Sequence, residues 1–247
     1  MLRGLIVTTC WVFVWIVVWD LAVNVFDIPQ YVLPTPQTVA RKILADRILI
    51  FVELLATSWK AVLAAFVATG FALALTVISH STRGLRSALL VTTSVLEAAP
   101  KVALAPMLTI WLGIGAEPKI ALAVLICVYP TYQRLDAAWS SVPTEITDYA
   151  RALGCSRLRL NVSIRMRWIV PDLWECLRLA TPLAFVGVML AEIGASEDGI
   201  GTVLMYGVGQ LDMPSVVAVT VCIGVVSTIL VLLFSAVHER ALRGRGA

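Results

Sequence analysis

The stretch DYARALGCSRLRLNVSIRMRWIVP, Asp148 to Pro171, decides how the chain is read. It carries Arg151, Arg157, Arg159, Arg165 and Arg167 within a chain that is 60% hydrophobic and only 14% charged. Soluble domains carry about 25% charge. The apolar excess therefore points to an integral membrane protein, in which each spanning helix needs about 20 apolar residues, and the basic stretch must lie outside the lipid.

Working outward from it, six apolar segments stand out over the 247 residues: about Leu5–Val23, Leu54–Ile78, Ser87–Leu112, Pro118–Ala138, Cys176–Gly194 and Met213–Val237. Backbone polar groups in lipid must be satisfied within the segment, so these are predicted as helices and the fold class as all-α, polytopic. The first follows Arg3 and is too long for a signal-peptide core, so it is read as an uncleaved span. A single membrane domain is expected over residues 1–247.

Positive charge then orients the chain. With both termini cytoplasmic, the inner side holds Arg3, Arg83, Arg86, the group from Arg134 to Arg178, and Arg240, Arg243 and Arg245. The outer side holds Arg41, Lys42, Arg47 and Lys119, while Lys60 and Lys101 fall within spans. The opening stretch becomes a cytoplasmic loop, about Trp139 to Glu175.

Within that loop, Gly154 separates a short helix, Glu145–Leu153, from a second, Ser156–Trp168. Ser156 is placed to cap the second helix. Pro143 precedes the first and Pro171 limits the second. Leu158, Val162, Met166 and Ile169 form one apolar helical face. By charge alone, such a helix would lie equally well on anionic lipid.

Residues outside the loop carry further signals. On the outer surface, Thr38 onward reads as an amphipathic connector after Pro29, Pro34 and Pro36. Trp11, Trp15 and Trp19 recur every four residues, a packing stripe. Cys10, Cys127, Cys155, Cys176 and Cys222 are isolated, which fits buried small residues and neither a disulfide framework nor a metal site. His80 and His238 sit at cytoplasmic helix ends. Glu97 and Lys101 are spaced i, i+4 within the third span, where they can pair. Pro100 and Pro106 interrupt that span, and carbonyls freed there must face protein or a wet cavity. Glu97, Lys101 and Pro106 are therefore candidates for a translocation path, with Lys101 favouring anionic or polar solutes. Glu192 is a second carboxylate at membrane depth and a further candidate for that path, with a kink expected upstream at Thr181-Pro182.

The order of residues in the loop resembles the cytoplasmic EAA loop of the transmembrane permeases of binding-protein-dependent ABC importers, which reads E-A-A, three residues, Gly, nine residues, Ile, one residue, Leu-Pro. Asp148, Tyr149 and Ala150 stand at E-A-A, Gly154 at the glycine and Ile164 at the isoleucine. Met166-Arg167 replaces Leu-Pro, and Pro171 matches a second proline four residues later. The resemblance runs from about Val32 to Glu239. VLPTPQTV, TSWKAVLAAFVATGFALAL, APKVALAPMLTIWLGIGAEPKIALAVL and LAEIGASEDGIGTVL are similar to successive segments of the nitrate/sulfonate/taurine subgroup.

The resemblance implies a type I ABC-importer permease fold in a bacterial inner membrane. It implies a second permease subunit, in a homodimer, a cytoplasmic ATPase dimer, and a periplasmic or lipid-anchored solute-binding protein. Glu145, Asp148, Tyr149, Ala150, Arg151, Gly154, Arg157, Ile164 and Pro171 would couple to the ATPase. Ser196, Gly199 and Gly201 would belong to a re-entrant outer gate. The solute would be a sulfonate, taurine, nitrate or thiamine-precursor-like compound. The chain holds no G-x-x-x-x-G-K-[ST], so ATP and magnesium would be bound by the partner, and no cofactor, metal or nucleic acid is expected on this chain.

Two other classes compete. A membrane hydrolase would need a nucleophile, base or metal cluster at membrane depth, yet neither histidine is mid-span and no H-E-x-x-H occurs. A secondary transporter or channel also uses broken helices; six spans with no internal repeat, together with the loop, argue against it.

Overall fold

The computed structural model describes residues 2–80, 84–195 and 198–243, with side chains from residue 10 to 239 apart from 81–83, 157, 158 and 195–197. The described residues are helical and form α1 (Leu2–Val25), α2 (Pro36–Ala45), α3 (Arg47–Ser79), α4 (Leu85–Ala98), α5 (Lys101–Leu112), α6 (Glu117–Ser140), α7 (Thr144–Ala152), α8 (Arg157–Leu160), α9 (Met166–Ala195), α10 (Ile200–Gly209) and α11 (Met213–Arg243). A π-helical turn, Asn161–Arg165, joins α8 to α9.

Helices α3, α6 and α9 make the centre. Lipid offers apolar side chains as good a surroundings as protein does, so helices associate where small residues let backbones approach. Helix α3 supplies that face with Ala61, Ala64, Ala65, Ala68 and Ala72, all fully buried. Ala123 and Cys127 of α6 and Ala180 and Ala184 of α9 answer it. At Gly187 the approach of α9 to α6 is so close that an added Cβ would lie 2.5 Å from the Ala123 Cα. Two cysteines serve as small polar bridges across the same seam: Cys127 Sγ donates to the Ala180 carbonyl (3.4 Å) and Cys176 Sγ to that of Thr131 (3.7 Å). Helix α11 packs on α9, and α2 on α11, while α2 is the chief neighbour of α1. Trp11 and Trp15 face outward.

The six expected spans correspond to α1, α3, α4 with α5, α6, α9 and α11. By length and apolarity, α3, α9 with its π-turn, and α11 qualify as single spans among the described residues. The third span is not one helix. Proline disfavours the helical region for the residue before it, and Ala99, ahead of Pro100, is extended (φ −63°, ψ 140°). Helices α4 and α5 consequently meet at 94°.

The fifth span also differs. Pro171 was expected to end the second loop helix, and Cys176 to begin the span. Instead α9 starts at Met166 and runs through Pro171 and Pro182. Arg167 retains the N–H that proline would lack, so nothing stops the helix there. Pro171 is buried, and its carbonyl accepts a hydrogen bond from His238 Nδ1 of α11 (2.9 Å).

Candidate functional site

Two places concentrate polar chemistry, one at each end of the bundle. The first is the loop from α6 to α9. Helix α7 follows Pro143, carries Glu145 in its first turn and Arg151 in its last, and ends before Gly154, whose φ of +78° closes the turn. The Gly154 amide donates to the Arg151 carbonyl and the Cys155 amide to that of Ala150. Ser156 caps the next helix: its Oγ accepts from the Arg159 amide and its carbonyl from that of Leu160.

Helix α7 buries Thr147 and Ala150 and turns its other side outward. Ile146 (41% exposed), Tyr149 (69%) and Leu153 (70%) make an apolar stripe at i, i+3 and i+7, flanked by Glu145, Asp148 and Arg151. Asp148 and Arg151 pair with each other at 2.8 Å. Of the nine residues expected to act in coupling, Glu145, Asp148, Tyr149, Arg151 and Gly154 are thus at the surface, Ala150 and Pro171 are buried, and Ile164 is half-buried. The Arg157 side chain lies outside the described residues. Val162, expected on one apolar helical face with Met166 and Ile169, is 59% exposed; the π-turn shifts the register before Met166 and takes it out of line.

At the opposite end a charge cluster holds α10 against α3, α6 and α9. Glu192 and Lys60 are both 1% exposed, and the Lys60 ammonium stands 3.3 Å from Glu192 Oε1 and 2.9 Å from Asp198 Oδ2. Lys119, at the start of α6, also pairs with Asp198. Thr57 donates to both Glu192 oxygens and accepts from the Ile200 amide (2.9 Å). The Gly201 amide donates to Glu192 Oε2 (3.0 Å) and the Gly199 amide to Glu53 Oε2 (2.7 Å). Carboxylates at the first turn of α10 thus satisfy amides that have no partner within the helix.

Glycines make this contact physically allowed. A Cβ on Gly199, at φ +107°, would collide with the Glu192 carboxylate, and one on Gly201 would lie 2.7 Å from the Glu192 Cβ. Glu192 was expected on a translocation path; the structure encloses it inside this chain, beneath α10. Gly199 and Gly201, expected in an outer gate, lie at the start of α10 against Glu192, and Ser196 lies outside the described residues. Lys60, Thr57, Glu53 and Asp198 were not singled out beforehand. The available signal was Lys60 itself: a membrane-level ammonium with no acid within one helical turn needs a distant carboxylate.

Glu97 and Lys101 do meet, at 2.9 Å, but across the α4–α5 break and not along one helix. The ammonium also donates to the Glu97 carbonyl (2.8 Å), an acceptor that the break deprives of its helical amide. Lys101 is therefore a compensated charge. Ser94, Tyr129 and Gln133 form a hydrogen-bonded polar group between α4 and α6. Among the described residues no group of three or more His, Cys, Asp or Glu could hold a metal ion.

The family model described as the binding-protein-dependent transport system inner membrane component matches residues 66–244. The chain belongs to this family. Such a permease is a non-catalytic membrane subunit of an ABC transporter, and its ATPase is a separate subunit. This permease is 25% identical over 234 residues to the taurine transport system permease TauC of Escherichia coli, covering 90% of this chain and 84% of the relative. It is also 25% identical over 209 residues to the formylaminopyrimidine transport permease ThiX of Halalkalibacterium halodurans, covering 82% and 81%. These relatives support the sulfonate/taurine subgroup that its motifs resemble. A solved structure of the MetNI methionine ABC transporter in an inward-facing conformation has the same fold, with a TM-score of 0.63 at 15% identity over 74% of this permease and 93% of that chain.

Proposed function

We propose that this permease forms, with a second copy of itself, the translocation path of an ATP-driven importer for a small polar or anionic solute. A periplasmic or lipid-anchored binding protein delivers the solute from the side that carries α2 and α10. The ATPase dimer docks beneath the 139–175 loop, and both termini lie on that cytoplasmic side. Energy comes from the partner, since this chain has no phosphate-binding loop of its own.

One observation carries the reading. Helix α7 points Ile146, Tyr149 and Leu153 away from the chain, in a loop whose arginines favour the cytoplasmic side. Water-facing apolar stripes of this kind mark a protein contact. Asp148 and Arg151 beside the stripe, and the Gly154 turn that sets its angle, complete the coupling surface, with Arg157 and Ile164 following in the next helix.

Glu97 and Lys101 flank the α4–α5 break, and Pro106, expected to interrupt the span, lies within the continuous α5; all three are assigned to the path. Because Glu97 compensates Lys101, selection rests on polar groups and shape more than on one free cation. The names of the relatives favour a sulfonate-like or thiamine-precursor-like solute. Glu192 acts on the path by holding α10, and Gly199 and Gly201, with Ser196 before them, form the outer gate.

Co-expression with the ATPase tests this. The purified permease should carry the ATPase with it, and Tyr149→Asp or Gly154→Leu should reduce that capture at least about tenfold, a loss of about 1.4 kcal/mol of contact. Uptake that proceeds with no ATPase present would overturn the reading in favour of a self-powered transporter.

A further inference from the structure

A second buried carboxylate lies at the loop end of the bundle, and the coupling reading does not use it. Asp136 of α6 is 4% exposed. It accepts hydrogen bonds from Arg86, at the start of α4, through Nε (3.0 Å to each oxygen) and Nη2 (2.6 Å to Oδ2). His80, which ends α3, places its Nε2 3.0 Å from Oδ1. One carboxylate therefore ties three helix ends together.

One turn along α6, Trp139 is 1% exposed and receives the loop. The Arg165 guanidinium, in the π-turn that follows α8, stacks 5.6 Å from the centroid of its ring. The His80 ring lies 6.0 Å from the same ring. Arg165 Nε and Trp139 Nε1 are buried with no hydrogen-bond partner among the described residues. The joint between loop and bundle is thus a cation over a ring face, which fixes distance but tolerates sliding.

Helix α4 is the element this joint can move. Thr93 is its one buried residue, so α4 is held at its start by the Arg86 fork and at its far end by the break that bears Glu97 and Lys101. A π-turn next to Arg165 gives the loop a place to change register.

We propose that Asp136 and Trp139 are positioning residues of a relay, running from the coupling loop through Arg165, Trp139, His80, Asp136 and Arg86 to α4. A displacement of α7 and α8 by the ATPase shifts Arg165 on the Trp139 ring. The buried Asp136 then carries the shift to Arg86 and swings α4 about its junction with α5. The coupling stroke reaches the broken span by this route, not only along the continuous α9. The relay rests on the coupling-loop reading above.

The test uses the assembled permease–ATPase complex with Cys10, Cys155 and Cys222 replaced by serine and a spin label at Val95→Cys, which is exposed on α4. Trapping the ATPase with ATP and vanadate should change the label's rotational correlation time about twofold or more. Asp136→Asn and Trp139→Leu should erase that response while the ATPase is still captured. Trp139→Phe, which keeps a ring face for Arg165, should retain it. A label at Leu232→Cys on α11 should respond equally in all variants. If Trp139→Leu or Asp136→Asn responds as the parent does, or if the parent shows no response at Val95 despite trapped nucleotide, the relay is wrong. Failure of the parent permease to capture any ATPase is a different result, and it overturns the coupling-loop reading on which the relay depends. Should Asp136→Asn fail to assemble, the pair of Trp139 variants decides.

Discussion

Replacing Lys60 with methionine is the sharpest probe of the charge cluster. Methionine keeps the unbranched stem and removes the ammonium, so packing changes little. Asp198 retains Lys119 as a partner. Glu192 loses the one cation paired with it among the described residues, while remaining enclosed. Removing one member of a buried pair costs about 3–5 kcal/mol, because the survivor is left uncompensated. Hydrogen bonds from Thr57 and the Gly201 amide still reach the Glu192 carboxylate, which places the cost at the lower end, about 3 kcal/mol. For a chain of 150–250 residues that corresponds to a fall in Tm of about 6–12 °C. Glu192→Gln in the same background should restore more than half of it. The amide keeps an oxygen for the Gly201 N–H, and the Thr57 hydroxyl has a second lone pair to offer the amide nitrogen. Thermal unfolding of the purified permease in detergent measures all four corners of the cycle. The reasoning fails if Lys60→Met melts within the error of the parent, or if the double variant shows the simple sum of the two single losses.

Two further outcomes follow from the geometry. Gly187→Ala should destabilise the permease by about 1–3 kcal/mol through overpacking, and Ala123→Gly should not rescue it, because the nearest atom is the Ala123 Cα; yield of monodisperse protein and its melting temperature check both. At the turn before α11, burial works to raise the Asp212 carboxyl, but hydrogen bonds from Lys42 and Ser215 outweigh it and hold the group below its ordinary value. A depressed carboxyl stabilises above its unfolded value, about 3.9, and loses that contribution as pH falls through the folded value. The tie from α2 to the start of α11, with Lys42 2.9 Å from Asp212, should therefore be constant through the neutral range and fail only in acid, and Asp212→Asn should flatten the acid limb of a Tm-against-pH curve.

How much was legible beforehand depends on whether the cause was local. The α7 helix, its end before Gly154 and the Ser156 cap were readable, because caps and turns are decided within a few residues. The break at Ala99-Pro100 was half readable: the prolines announced an interruption, but the angle depends on what α4 and α5 pack against. Pro171 misled because a proline's power to end a helix gives way to packing when the ring is enclosed and its carbonyl is held by His238. The partners of Lys60 and Asp136 were not readable at all. Glu192 is 132 residues from Lys60, and Arg86 is 50 residues from Asp136. Such pairings are made by the packing of α3 on α9 and of α4 on α6, which no local sequence signal announces.

The placement of charge also bears on how a permease of this kind can move. Lys60, Lys119, Asp136 and Glu192 are each paired with a residue outside their own helix. Buried ion pairs add little stability over apolar packing, so their value here lies in geometry: a pair has one arrangement or none. The charged joints occur at the two ends, at Glu192 beneath α10 and at Asp136 beneath the loop. Between them lie the close-packed alanine seam and the 94° break. Under the proposed relay, a stroke applied at the loop end is expressed at the α4–α5 junction, while α10 stays pinned to Glu192 until that pair is broken.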